Sequence, residues 1–169
     1  LKLGPGTDPA TQMGPLTHPR RLDDMDRFID DARAQGAAIV TGGQRIDRPG
    51  WFYAPTVITN APARSRVMTV EPFGPILVVQ PFDDLADAIA QANALPYGLG
   101  AYAFTRDLDT ADRLAHEIEA GMVGLNHYGV SQPELPFGGI KASGEGLEMG
   151  AEGILAYTHT KTVTLGRHG

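Results

Sequence analysis

Apolar residues at Leu22, Met25, Phe28, Ile29 and Ala32 recur at helical spacing, which predicts an amphipathic helix with one face toward a core. Thr17 is the expected cap, Pro19 enters the first turn, and Gly36 ends the helix. Leu1 to Leu16 holds Gly4, Pro5, Gly6, Pro9, Gly14 and Pro15, too many breakers for a regular element, and is expected to be an extended lead-in. Ala38 to Thr41 reads as a short strand before Gly42-Gly43, with a polar loop from Gln44 to Gly50. Tyr53 to Ile58 is apolar and β-branched but contains Pro55, which places it at a sheet edge or as an irregular strand. Asn60 to Thr69 is a polar connection.

Farther along, strand-like and helix-like runs alternate. Ile76 to Gln80 is a continuous apolar run, after which Asp83 or Asp84 caps a helix through Leu85, Ala88, Ile89 and Ala92 to Asn93. Ala101 to Phe104 reads as a buried strand. Asp107 or Asp109 then caps a helix with Leu108, Ala111, Leu114, Ala115 and Ile118 on one face, and Gly121 closes it before the strand Met122 to Leu125. A βαβαβ succession of this kind predicts an α/β fold, with a parallel sheet and helical crossovers. Ala151 to Tyr157 reads as a short helix. Thr160 to Leu165 reads as an alternating terminal strand, a natural edge for pairing with another chain.

Two segments stand outside this alternation. Val70-Glu71-Pro72-Phe73-Gly74-Pro75 sets one carboxylate and one ring between prolines, a rigid loop that presents both in fixed directions. A carboxylate accepts two hydroxyl hydrogen bonds, as from a ribose diol, and a ring one residue away can lie on a planar heterocycle. A solvated Glu71 beside a core Phe73 is the alternative. The second segment runs from Asn126 to Gly146, a long glycine-rich loop of mixed chemistry beyond the end of a strand, where open α/β sheets bind ligands.

Composition narrows the field. The chain has 169 residues, 42% hydrophobic and 20% charged, which suits one soluble globular domain. Fourteen basic against twenty acidic residues leave a net charge of -6 with no basic cluster, which argues against nucleic acid as a partner. The lack of a long apolar run or a secretory leader pattern argues against a membrane and favours the cytoplasm. There is no cysteine, hence no disulfide, no thiolate metal site and no cysteine nucleophile in this chain. The five histidines show no short ligand spacing, so a metal is not expected. Gly144, Gly146 and Gly150 imitate a dinucleotide fingerprint, but no apolar strand feeds them. Ser131 and Ser143 lack a Gly-x-Ser-x-Gly elbow. Leu1 stands where a start methionine would, so the chain is expected to be a piece of something longer.

The motifs Glu71-Pro72-Phe73-Gly74-Pro75, Tyr97-Gly98-Leu99, Ala103-Phe104-Thr105, Gly121 to Asn126 and Pro136-Phe137-Gly138-Gly139-Ile140-Lys141-x-Ser143-Gly144 occur in one order. Together they resemble the C-terminal part of aldehyde dehydrogenases, from about residue 1 to 165. Gly14-Pro15-Leu16 and Pro55-Thr56-Val57 fit as well, and Ser131-x-Pro133-Glu134-x-Pro136-Phe137-Gly138-Gly139 looks most like succinate-semialdehyde dehydrogenases. The resemblance implies residues 1–158 as part of the catalytic domain and 159–169 as an oligomerisation strand and tail, hence a homo-oligomer.

It also implies roles. Glu71 matches the glutamate that holds the nicotinamide ribose of NAD or NADP, and Phe73 the ring beside it. Phe137 matches an aromatic lining the aldehyde tunnel, and Ser131 the serine that binds the substrate's distal carboxylate. Glu148 matches a proton-relay glutamate, and Asn126 opens the substrate-anchoring loop. The plainer alternatives are core packing for Phe137, solvation for Ser131 and Glu148, and strand termination for Asn126. The family's chemistry needs a cysteine thiolate to attack the aldehyde and a glutamate base for thioester hydrolysis. Both belong upstream in family order, so this chain is expected to be inactive alone. A non-catalytic binding or assembly module and an aldehyde dehydrogenase for an uncharged aldehyde are the competing expectations.

Overall fold

The computed structural model describes residues 1–166, which form two compact units, Leu1–Pro81 and a second beginning at Phe82. The first unit is built on helix α1, Arg20–Ala34, whose Met25, Phe28, Ile29 and Ala32 are all buried. This is the stripe that the helical spacing predicts. The cap differs from expectation. Pro19 holds the cap position with helical backbone angles, and the Arg20 amide donates to His18 Nδ1 at 3.1 Å, so Thr17 is not used.

Strands β1 (Ala38–Thr41), β2 (Thr56–Thr59) and β3 (Ile76–Val79) form one sheet in that order, β1 antiparallel and β3 parallel to β2. The segment after Pro55 is thus the central strand, where an edge or irregular strand is expected from the sequence. Pro55 precedes the first ladder residue, so its missing N–H costs no sheet hydrogen bond, and the Thr56 amide resumes bonding by donating to Pro75 O at 2.8 Å. Thr56 is itself buried, and its hydroxyl is satisfied by accepting from Gly43 N and donating to Ala54 O, each at 2.8 Å. Ile58, Tyr53, Ala61 and Val67 complete the core with the α1 stripe. Val67 belongs to α2 (Arg66–Thr69), a single turn within the polar connection.

In the second unit, α3 (Leu85–Asn93) is capped by Asp84, whose carboxylate accepts from Asp87 N, and α4 (Leu108–Glu117) by Asp107, which accepts from Thr110 N. Strands β4 (Tyr97–Gly98), β5 (Gly100–Ala103), β6 (Met122–Leu125) and β7 (Ile140–Lys141) form two pairs. β5 and β6 are parallel, joined through α4, with Gly100 opposite Met122 and Ala103 opposite Leu125. β4 and β7 are antiparallel. The α/β class holds, but the three expected strands do not share one parallel sheet. β3 is taken by β2 in the first unit, which leaves β5-α4-β6 as the crossover.

Glu152–Tyr157 forms a 3₁₀ helix. Thr160 to Leu165, expected as a strand, makes none here: it joins none of the sheets among the described residues and is exposed throughout. The last three residues of the expected tail, 167–169, lie outside the described residues. Among the described residues no helix is long and apolar enough to cross a membrane.

Candidate functional site

The site residues expected from the sequence fall in two groups, Glu71 and Phe73 in the first unit and Asn126, Ser131, Phe137 and Glu148 in the second. The Glu71 loop leaves α2 and runs into β3. Its backbone is fixed at several points. Gly74 lies so close to Met25 of α1 that a Cβ there would displace the Met25 thioether. Pro75 O accepts from Thr56 N of β2 at 2.8 Å. Arg21 of α1 donates from Nη2 to Pro72 O and, at 3.5 Å, to Phe73 O, while its Nη1 donates to Asp24 at 2.8 Å.

These holds keep Phe73 at a φ of +44°, a left-handed conformation that a bulky residue adopts only when its surroundings impose it. The Phe73 ring is 71% exposed. Glu71 is exposed as well and takes part in none of the ion pairs of the first unit. A free carboxylate and a free ring on one pinned backbone can engage a polar, planar ligand without first breaking internal contacts. Arg21 escapes the sequence reading. Its signal is its position four residues before Met25 and seven before Phe28, a charge on the apolar stripe of α1.

In the second unit the long loop folds back on itself. Phe137 and Glu148 form an antiparallel bridge, the Phe137 amide donating to Glu148 O at 2.7 Å and the Glu148 amide to Phe137 O at 2.8 Å. Residues opposed in this way carry their side chains on the same face of the pair. Both line an open groove of about 910 Å³ with apolar walls from Leu99, Met149 and Tyr157. The arm that carries Phe137 is anchored at its far end. Gly98 N donates to Ser143 Oγ at 2.9 Å, and Lys141 pairs with Glu119 and donates to Asn93 O and Leu95 O at 3.1 and 3.3 Å. Gly121 sits against Gly138 O so closely that a Cβ would overlap it.

Ser131 is exposed, with its hydroxyl 4.0 Å from Met149 Sδ, next in sequence to Glu148. Asn126 does something else. At a φ of +62° it ends β6, and its Oδ1 accepts from Thr105 N at 2.9 Å, so one side of its carboxamide already ties the ends of β5 and β6 together. The Gly144, Gly146 and Gly150 series, all at positive φ, follows only the two-residue β7 and leads into a 3₁₀ helix, not the strand-to-α-helix turn of a phosphate loop. Among the described residues no three His, Asp or Glu side chains converge as a metal site would require.

The aldehyde dehydrogenase family profile matches residues 1–163. The chain belongs to the aldehyde dehydrogenase family. It is 45% identical over 163 residues to the succinate-semialdehyde dehydrogenase of Paenarthrobacter nicotinovorans, an alignment covering 96% of this chain and 36% of that enzyme. It is likewise 45% identical over 166 residues to the NADP(+) succinate-semialdehyde dehydrogenase of Mycobacterium avium (strain 104), covering 98% of this chain and 35% of that one. An aldehyde dehydrogenase from Bacillus cereus, solved as its E194S mutant, superposes with a TM-score of 0.93 at 36% identity, over 96% of this chain and 33% of that one. The chain therefore spans about a third of the length of the relatives it matches.

Proposed function

We propose that this chain is the C-terminal portion of the catalytic domain of an NAD(P)+-dependent aldehyde dehydrogenase that oxidises succinate semialdehyde or a similar carboxylated semialdehyde. The observation that carries it is the Glu71-Phe73 loop, a carboxylate and a ring both exposed and, among the described residues, without an ion-pair or hydrogen-bond partner, on a backbone held by Arg21 and Thr56, in a chain 45% identical to succinate-semialdehyde dehydrogenases. Bound NAD(P)+ supplies the hydride acceptor. Toward it, Glu71 accepts hydrogen bonds from the two nicotinamide ribose hydroxyls and Phe73 lies against the ribose and nicotinamide.

Toward the aldehyde, Phe137 forms an apolar wall and the Ser131 hydroxyl donates to the distal carboxylate. Glu148, exposed on the groove beside Phe137, holds or relays a proton at its carboxylate, and Asn126 has its amide N–H₂ left to offer substrate. The attacking thiolate and the main general base come from the rest of the enzyme, since this chain has no cysteine. Residues 159–169 serve as the oligomerisation strand and tail of a homo-oligomer, in which Thr160 to Leu165, exposed and unpaired in this chain, pairs with a strand edge of another copy.

The test is turnover by the purified parent enzyme. Succinate semialdehyde with NAD+ or NADP+ is expected to yield NAD(P)H, with a higher kcat/KM than butanal. Absence of NAD(P)H with either aldehyde overturns the enzymatic assignment, and equal kcat/KM values overturn the substrate class.

A further inference from the structure

We infer that Arg21 is a positioning residue for the cofactor clamp, holding the Glu71-Phe73 loop in its working shape through the backbone. This rests on the clamp proposed above. Phe73 occupies a left-handed conformation and its ring is exposed, so neither intrinsic preference nor burial of the ring accounts for the shape. What meets the loop at that point is the Arg21 guanidinium, which donates to the carbonyls on both sides of the Pro72–Phe73 junction.

The guanidinium is aimed by a partner of its own. Asp24, one turn along α1, accepts from Arg21 Nη1 at 2.8 Å and from Arg27 Nη1 at 3.2 Å, and the Arg21 side chain is only 27% exposed. Its Nε is buried without an acceptor, a cost the fold tolerates while the two terminal nitrogens face the loop and Asp24. A planar fork suits this task because it can serve two carbonyls and a carboxylate together, whereas an ammonium is a point charge. Arg21 takes only carbonyl oxygens from the loop, which leaves the Glu71 carboxylate and Phe73 ring for a ligand. A charge on the apolar stripe of α1 thus sets the geometry of a loop fifty-one residues away.

The test compares Arg21→Met, Arg21→Lys, Asp24→Asn and Glu71→Gln in the parent enzyme, by kinetics and by hydrogen exchange of the peptide spanning Val70 to Pro75. Arg21→Met is expected to speed exchange in that peptide, with the α1 core amides unchanged, and to raise KM for NAD(P)+ about tenfold while leaving KM for the aldehyde in place. Arg21→Lys is expected to recover part of the effect. Wild-type exchange and wild-type cofactor KM in Arg21→Met overturn the inference. If Arg21→Met fails to fold, Asp24→Asn decides in the same way, with a smaller rise in exchange and KM expected and no change in either overturning it. Glu71→Gln separates the two levels. An unchanged cofactor KM there refutes the clamp, and the exchange of the loop in the Arg21 variant still decides whether Arg21 holds it.

Discussion

Ser131 and Tyr53 show how differently a single hydroxyl can be placed. The Ser131 side chain is exposed and its nearest polar contact is only the Met149 sulfur at 4.0 Å, so it is free to donate to a ligand. In the parent enzyme Ser131→Ala is therefore expected to raise KM for succinate semialdehyde about tenfold, the cost of one hydrogen bond to a charged group, with little change for butanal. Equal changes for the two aldehydes would remove the carboxylate role. Tyr53 is 1% exposed, and its hydroxyl lies near Asp26 without meeting hydrogen-bond geometry. Burial first, then the Asp26 charge, pushes its ionisation well above the usual tyrosine range. Removing an unpartnered buried hydroxyl relieves a desolvation cost, so Tyr53→Phe is expected to leave the free energy of urea unfolding unchanged or raise it by about 1 kcal/mol. A fall of similar size would mean that the hydroxyl is bonded to Asp26.

Among the elements, α4 shows most directly how a local signal becomes a measurable one. Asp107 accepts from the Thr110 hydroxyl at 2.6 Å and from its amide at 2.8 Å, and these two bonds hold its carboxyl below the ordinary value of 3.8. A depressed folded-state value means that the cap stabilises the helix fully above the unfolded-state pKa and loses that contribution as pH falls through the folded one. The Thr110 amide resonance is expected to titrate with a midpoint below 3.8 and to stop titrating in Asp107→Asn. A midpoint at or above 3.8 would show that the cap is not formed. The pattern narrowed each cap to two aspartates, Asp83 or Asp84 and Asp107 or Asp109, because a cap lies next in sequence to the apolar spacing it precedes; the structure uses Asp84 and Asp107. Thr17 misled for a related reason: Pro19 is compatible with the cap position itself, so α1 begins at Arg20 and bypasses the threonine.

At the scale of the whole molecule, large apolar side chains remain in water. Leu77 of β3 is 59% exposed, and Phe104, just after β5, 56%. The Tyr128 ring packs, tilted, against those of Phe104 and Tyr102, with centroids 5.0 and 5.4 Å apart, yet Tyr128 stays 74% exposed. The β5–β6 pair is a two-stranded parallel sheet, an arrangement found almost only where both faces are covered. A chain spanning about a third of its relatives' length leaves such surfaces for the remainder to cover. The purified chain, incubated with succinate semialdehyde and either NAD+ or NADP+, is expected to form no NAD(P)H. Turnover above a blank would show that the reaction does not need the thiol supplied from elsewhere.

The chain's own pattern was enough for its three longer helices and its lineage, but not for every strand: Thr160 to Leu165 alternates like one and forms none here. α1, α3 and α4 follow from spacing that each segment carries within itself, and the ordered motifs from Glu71 to Ser143 identify the family without reference to any contact. Tertiary structure alone decided which partner each element took. Whether Ile76–Val79 joins Thr56–Thr59 or Gly100–Ala103 depends on loop closure and on which apolar faces can be buried together, and a strand's own pattern is the same in either case. The same holds at the site. Glu71 and Phe73 announce themselves by motif, whereas the Arg21 contacts exist only once α1 has met the loop, and the pairing of Phe137 with Glu148 only once the long loop has folded back on itself.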